Sequence, residues 1–369
     1  MRSRSAWSCR WPARRFSSSC CCAAARNARE PDVADATGLP SPAELRRRGP
    51  LRRTPSPAVV LAVLAAATLA AVVLFMTVDL RGNLGYILPL RAVKVGAMLL
   101  VAVAVGLSTL MFQTVTANRI LTPSIMGFDA LYLFIQTAVV FAVGGSALAT
   151  APAAGKFAVE VLLMVLCSGL LYRWLFTGGT QSLHLMLLVG IVLGTLLRGA
   201  SSLLQRLMDP SEFIILQDLF FASFNQVDPV LLWVSAAVVG TVAAAAWRLR
   251  HTLDVLALGR ETAVNLGVNH RRIVTWVLVM CSVLVAVSTA LVGPVTFFGL
   301  LVVTLGYQLC RDYSHRWLLP AVSLLGAVAL IGGQLVLEKV FGFDTALSIL
   351  IEFAGGILFL FLLLKGYLK

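Results

Sequence analysis

The chain has 369 residues, of which 59% are apolar and 13% are charged, whereas an average soluble domain is about 45–50% apolar and about 25% charged. This composition excludes a soluble globular enzyme, a disordered protein and a collagen-like protein. It predicts an all-α integral membrane protein, because several apolar runs reach the roughly 20 residues that a helix needs to cross a bilayer and do not alternate as β-barrel strands do.

Residues 1–56 predict a disordered basic N-terminal extension. They are rich in Arg, Ser, Ala and Pro, and they hold 12 of the 30 basic residues but 4 of the 17 acidic ones. An upstream start codon that the cell does not use is an alternative that the sequence leaves open. Because most of the net charge of +13 lies in this tail, and the other Lys and Arg residues cluster at helix ends, we expect no nucleic-acid partner.

The membrane domain, residues 57–369, contains ten apolar segments that we predict to be about ten transmembrane helices. An even number places both termini on the same side of the membrane. Outside the tail, the connections on that side hold 11 basic residues and those on the other side hold 6, so the positive-inside rule places both termini in the cytoplasm. The segments lie near residues 57–78, 88–113, 124–143, 157–176, 183–207, 229–247, 273–292, 296–310, 318–338 and 345–365.

Two connections are too long to be simple turns. The external one, 208–228, contains the run FIILQDLFFASF, which predicts a short surface helix. The cytoplasmic one, 248–272, contains a helix-competent piece from Glu261 to Leu266, and Gly267 is suited to end it in a left-handed conformation. Two short helices joined at a glycine would form a compact knob that fits a groove on a cytoplasmic partner, although periodicity alone does not distinguish this knob from a solvated basic loop.

The sequence shows no set of residues that predicts catalysis or a metal site. Gly155-Lys156 resembles the end of a phosphate-binding loop, but Thr150 stands where that loop requires glycine. The four histidines form no pair of ligands four residues apart, and no Ser/His/Asp set is visible. We therefore expect no catalytic residue, no bound metal and no cofactor.

Two charged residues, Arg198 and Glu352, fall within apolar segments. A charge within the membrane is costly and is a functional candidate by default. The alternatives are that each lies within a turn or two of a membrane surface, or that the two charges neutralise each other. A proton-coupled transporter would need more than one such acid along a path, so this pattern does not favour ion coupling.

Four motifs in order along the chain resemble those of one family. LPLRAVK (88–94) is similar to LPLRLPR, and FQTVTANRILTPSIMGFDAL (112–131) is similar to a turn containing NPLADPGLLGVSSGA. LALGRETAVNLGVNHRR (256–272) resembles an LGxxxAxxLGV segment, and GPVTFFGLL (293–301) resembles GPIGFVGLI. On these residues the chain, over 57–369, resembles the FecCD-like permeases of iron-siderophore and cobalamin ABC importers.

This resemblance implies a multi-pass permease subunit, in the bacterial plasma (inner) membrane, that moves a ferric siderophore into the cytoplasm and does not itself hydrolyse ATP. It also implies a set of partners: cytoplasmic ABC ATPase subunits, a second permease subunit that is the same or a different chain, an extracytoplasmic siderophore-binding protein, and membrane lipid. Permeases of this family bind no metal or cofactor of their own.

The resemblance also assigns site residues. Gating or lining of the translocation path is expected of Asn118, Pro123, Gly127, Gly293 and Pro294. Arg91 and Lys94 are expected to receive the binding protein, with snorkelling at the membrane surface as the alternative. ATPase docking is expected of Leu258, Gly259, Glu261, Ala263, Leu266, Gly267 and Val268 in the cytoplasmic loop 248–272.

Two departures from the family pattern affect the expected substrate rather than the fold. Thr304-Leu305-Gly306-Tyr307 follows GPVTFFGLLV where the family usually has Pro-His, and the last helix lacks the usual ELPVG start. NRILTPSIMGFDALY, TFFGLLV and GGQ look like the branch for catecholate siderophores of the petrobactin, vibriobactin and anguibactin type. A permease for cobalamin or haem, and an ion-coupled secondary transporter, are the alternatives.

Overall fold

A computed structural model describes residues 56–78, 84–145, 152–177, 183–225, 227–310, 312–340 and 347–364. The predicted N-terminal extension, apart from Ser56, lies outside the described residues. The regular structure in the described residues is entirely helical, which confirms the predicted fold class. In chain order, the α-helices are α1 Pro57–Thr77, α2 Leu84–Thr116, α3 Phe128–Val143, α4 Ala153–Thr177, α5 Leu183–Leu207, α6 Pro210–Leu219, α7 Pro229–Arg248, α8 Arg250–Leu256, α9 Arg260–Asn265, α10 His270–Val292, α11 Phe298–Cys310, α12 His315–Val340 and α13 Leu347–Leu364, and a 3-10 turn spans Ser124–Met126.

The apolar helices follow the predicted segments closely. Each of the ten segments overlaps one of the longer helices, and the predicted surface helix in the external connection is α6. Seven helices in the described residues are long and apolar enough to cross a membrane. The apolar helices α3 and α11 are shorter, with 16 and 13 residues.

Helices α2, α10 and α12 form the centre of the bundle. Helix α2 packs along both of the others, and its side chains at Met98, Leu110 and Phe112 are fully buried. The thiol of Cys281 in α10 donates a hydrogen bond to the Ser108 carbonyl, 3.3 Å away, so the middles of α2 and α10 lie side by side. These central helices are the frame against which the rest of the chain is positioned.

The outer helices α1, α4, α5 and α7 expose apolar faces. The side chains of Val63, Leu162, Leu188 and Trp233 are 58–77% exposed. In water such faces would be unfavourable, but lipid chains are as apolar as these side chains. This ring is therefore the surface that the membrane covers.

Candidate functional site

Two helices begin inside the bundle rather than at its surface, and the first turn of one meets the connection that leads into the other. Helix α3 starts at Phe128 and α11 at Phe298, after the irregular connections 117–127 and 293–297. Both starts lie beside the second half of α2 and the last turns of α10, since residues of these two helices and of both connections line one cavity of about 10 Å³. We call this region, residues 123–129 with 293–297, the intramembrane junction. Irregular backbone within a membrane protein is tolerated where protein or a cavity surrounds it.

The cavity at the intramembrane junction is mostly lined by small and hydroxyl-bearing side chains. The cavity is about large enough for one water molecule. Pro123 and Gly293, both predicted to belong to the path, line it. The remaining lining residues are Val101, Val105, Ser108, Thr109, Ser124, Asp129, Val285, Ser288, Thr289 and Val295.

Two glycines allow the backbone to enter and leave the junction. Gly127 and Gly293 have φ of +101° and +108°, in the left-handed region that L-residues with a side chain rarely adopt. A Cβ at Gly127 would lie 3.1 Å from the Cα of Gly194 in α5, and one at Gly293 would lie 2.9 Å from the Cα of Ala222. Both positions therefore need glycine for conformation and for space.

Of the five predicted path residues, the structure brings four to the junction. Pro123, Gly127 and Gly293 are placed as described, and Pro294 is buried next to Gly293. Asn118 is exposed near the cytoplasmic end of α2, where its Oδ1 accepts a hydrogen bond of 3.0 Å from the Ile120 N–H. It shapes the turn that leads to the junction and does not line the cavity.

Asp129 is a junction residue that is absent from the sequence-based prediction. Its side chain is buried, and its Oδ2 accepts a hydrogen bond of 2.9 Å from the Thr296 hydroxyl, joining α3 to the connection before α11. The Ser124 hydroxyl lies close to this carboxylate. The available signal was an acidic residue two positions after a glycine, in the first turn of a helix, where the helix dipole favours negative charge.

Arg198 and Glu352, the two charges expected from the sequence, act on Asp129 rather than on each other. Among the described residues of the single subunit no ion pair joins them, so the alternative in which the two charges neutralise each other finds no support there. Arg198 attracts the Asp129 carboxylate and Glu352 repels it. Both side chains are exposed on the isolated subunit, whereas Asp129 is buried. The described part of the chain contains no group of three His, Cys, Asp or Glu side chains suited to a metal ion.

The cytoplasmic connection folds into the predicted pair of short helices, α8 and α9. Gly267 ends the second helix with φ of +83°, which confirms the expected left-handed turn, and Gly259 before it has φ of +97°. We call residues 248–272 the cytoplasmic knob. Leu258 and Leu266 are 62% and 60% exposed, and Val264, which the sequence did not indicate, is 52% exposed.

The other knob residues divide between surface and interior. Glu261 is exposed beside the apolar side chains. Ala263 is fully buried and Val268 is half-buried, and the Val268 N–H donates a hydrogen bond of 3.0 Å to the Ala263 carbonyl. These two residues hold the knob in shape, while Leu258, Val264 and Leu266 present exposed apolar side chains on it.

At the start of α2, Arg91 is occupied by a structural contact. Its Nη1 donates to the Phe75 and Val78 carbonyls at the end of α1, at 2.7 and 2.6 Å, and its guanidinium lies over the Phe75 ring. Arg91 and Lys94 are both half-buried. Arg91 therefore satisfies carbonyl groups that the end of α1 leaves without helical partners.

Comparisons with known proteins agree over nearly the whole membrane domain. Residues 58–365 match the FecCD transport family. A petrobactin import system permease protein of Bacillus subtilis (strain 168) is 45% identical over 305 residues, which is 83% of this chain and 96% of that protein. A petrobactin import system permease protein of Bacillus anthracis is 40% identical over 275 residues, 74% of this chain and 78% of that protein.

A solved structure shares the fold. It is described as an inward-facing conformation of a metal-chelate type ABC transporter, and it aligns with a TM-score of 0.74 over 84% of this chain and 100% of that chain. The two sequences are 23% identical in this alignment, so the likeness concerns the fold alone.

Proposed function

The chain belongs to the FecCD transport family as a multi-pass inner-membrane permease subunit of an ABC importer that moves ferric siderophore, and we propose that its cargo is a siderophore of the petrobactin type. The observation that carries the proposal is the 45% identity to the Bacillus subtilis petrobactin permease, which extends over 96% of that protein. The relatives are permease subunits rather than enzymes, so the ATP hydrolysis that drives transport is assigned to a separate ATPase subunit.

The cytoplasmic knob is the proposed docking element for that ATPase. Three apolar side chains, Leu258, Val264 and Leu266, are more than half exposed on a cytoplasmic connection, where no lipid is available to cover them. Neighbouring exposed apolar side chains of this kind mark a protein interaction site. Glu261 adds a charge at the edge of this surface, and the buried Ala263 keeps the short helix against the bundle.

The intramembrane junction is the proposed point at which the path opens and closes. A side-chain hydrogen bond from Thr296 to Asp129 joins the connection before α11 to the first turn of α3 there. Separating α3 from α11 there would break that bond without unfolding either helix. We propose that ATP-driven movement of the knob shifts the bundle as rigid bodies and changes access to the junction, as in alternating access.

At the outer side, Arg91 and Lys94 are proposed to receive the siderophore-binding protein. Both belong to the first three turns of α2. The topology predicted from the positive-inside rule assigns this end of the helix to the external side. The contact of Arg91 with the end of α1 supports the alternative, in which this side chain serves the fold. The second permease subunit is proposed to be a copy of this chain or a related chain.

Uptake of radioactive iron tests the cargo. A strain that lacks this gene is expected to lose uptake of ferric petrobactin and to regain it with the wild-type gene, while uptake of haem and cobalamin is unchanged. Unchanged ferric petrobactin uptake in the deletion strain, or loss of haem or cobalamin uptake instead, would refute the proposed cargo. Collapse of uptake by an uncoupler while ATP is held constant would favour an ion-coupled transporter.

A further inference from the structure

The cytoplasmic knob is joined to the start of α12 by an acid and a histidine. Asp254 lies in α8, and its Oδ1 accepts two hydrogen bonds of 2.7 Å, from the backbone N–H and from the ring Nδ1 of His315. His315 is the first residue of α12, and its side chain is 2% exposed. Because a helix start presents unpaired N–H groups and partial positive charge, Asp254 caps α12 from a different element.

The same histidine also reaches a second helix. Its Nε2 lies 2.8 Å from the Thr114 hydroxyl in the last turn of α2. Both ring nitrogens therefore have a partner, one on the knob and one on α2. A single buried imidazole therefore links the knob to the ends of two of the three central helices. Among the described side chains of α8, Asp254 is the one that forms a hydrogen bond to a central helix.

The contacts continue from Thr114 toward the intramembrane junction. The Tyr307 side chain lies close to the Thr114 hydroxyl. The Arg119 guanidinium lies 5.0 Å from the centre of the Tyr307 ring and 4.8 Å from that of Tyr313. Arg119 belongs to connection 117–127, the segment that runs from α2 into the junction.

We propose that the Asp254–His315–Thr114 chain, which we call the relay, positions the ends of α2 and α12 relative to the cytoplasmic knob and so couples the ATPase to the junction. The inference rests on the proposed docking of the ATPase at the knob. The other anchors of α8, Leu253 and Leu256, are buried apolar side chains whose contacts have no preferred direction. Hydrogen bonds weaken steeply when misaligned, so the relay fixes the orientation of the knob as well as its distance from the bundle.

The relay is tested in the complete importer, purified with its ATPase and binding protein and placed in lipid vesicles. Thr114→Val removes the hydroxyl and keeps the shape of the side chain. We expect ATPase recovery to be unchanged, whereas the stimulation of ATP hydrolysis by the binding protein loaded with ferric siderophore falls about tenfold, which corresponds to ~1.4 kcal/mol. Asp254→Asn is expected to lower the stimulation in the same way.

Two matched variants separate positioning from general stability. Thr114→Ser keeps the hydroxyl and is expected to retain stimulation. Thr116→Val is the control. The Thr116 hydroxyl is equally buried and also donates to a carbonyl of its own helix, Phe112 O at 2.8 Å, but in the described part of the chain its hydrogen bonds stay within α2. Thr114 itself makes the corresponding bond to Leu110 O at 2.9 Å in addition to its contact with His315.

The remaining outcomes overturn the inference. Full stimulation in Thr114→Val would show that the relay carries no coupling, and an equal loss in Thr116→Val would show a general effect of changing this helix turn. Loss of the ATPase from the Thr114→Val complex would show that the residue maintains assembly instead. If the wild-type permease itself retains no ATPase, the proposed docking is refuted, and the inference with it.

Discussion

Gly293→Ala is expected to destabilise the protein more than an alanine substitution at a left-handed glycine that faces open space, because a Cβ at Gly293 also meets packed backbone. At φ of +108°, a residue with a side chain is strained by about 1–3 kcal/mol. The added Cβ would lie 2.9 Å from the Cα of Ala222, and moving packed backbone costs a further ~1–3 kcal/mol. The free energy of unfolding should therefore fall by about 2–6 kcal/mol in total.

Two controls divide this cost into its parts. Gly267 has φ of +83° but nothing within 4 Å of an added Cβ, so Gly267→Ala carries the strain alone. Gly332, inside α12, has neither the strain nor a neighbour within 4 Å, and Gly332→Ala should be neutral or stabilising by up to about 1 kcal/mol. The assay is thermal unfolding of the purified subunit in detergent. A loss in Gly293→Ala no larger than that in Gly267→Ala would refute the steric argument.

Three further predictions follow from the same contacts. Thr296→Val should lower thermal stability more when residue 129 is Asp than when it is Asn, with a coupling of about 1 kcal/mol or more; strictly additive effects would contradict the hydrogen bond. Gly267→Trp should distort the knob turn and reduce the ATPase that co-purifies, and undiminished recovery together with undiminished iron uptake would remove the knob as a docking site. Charge reversal of Arg91 and Lys94 together should weaken capture of the binding protein, whereas unchanged affinity would leave Arg91 with its structural role alone.

Local features of the fold could be predicted from sequence because short stretches determine them. An apolar run long enough to span the membrane indicates a helix wherever it lies, and all ten runs overlap helices. The Gly267 turn was also local, because glycine is the residue that ends a helix in a left-handed conformation without strain. Charge counts and helix propensities contain no information about which helices touch.

The junction could not be predicted in the same way. Asp129 and Thr296 are 167 residues apart in sequence, and neither has a pattern that indicates the other. Asp129 lies within an apolar run, and a single acidic residue changes the average hydropathy of such a run too little to be noticed. The relay was missed for a related reason: His315 forms no ligand pair along the chain, and its partners Asp254 and Thr114 lie 61 and 201 residues away.

The exposed charges of Arg198 and Glu352 indicate which helix faces do not touch lipid. Each lies on an apolar helix and is exposed in the isolated subunit, and a charge that faces hydrocarbon costs several kcal/mol. The faces of α5 and α13 that carry them must therefore border protein or water in the assembled importer. Both charges act on Asp129 at the junction, so we expect this border to be the water-accessible path.

Cysteine labelling distinguishes the two environments on one helix. In a chain whose native cysteines are replaced, Arg198→Cys should react with a membrane-impermeant maleimide in the assembled importer. Leu196→Cys is the control, because Leu196 is 67% exposed on the same helix but is apolar, as expected of a side chain that faces lipid. The reagent does not enter lipid, and a thiol there remains protonated and unreactive. Equal reaction rates at the two positions would show that Arg198 does not face water, and the path would then have to be sought on another face of the bundle.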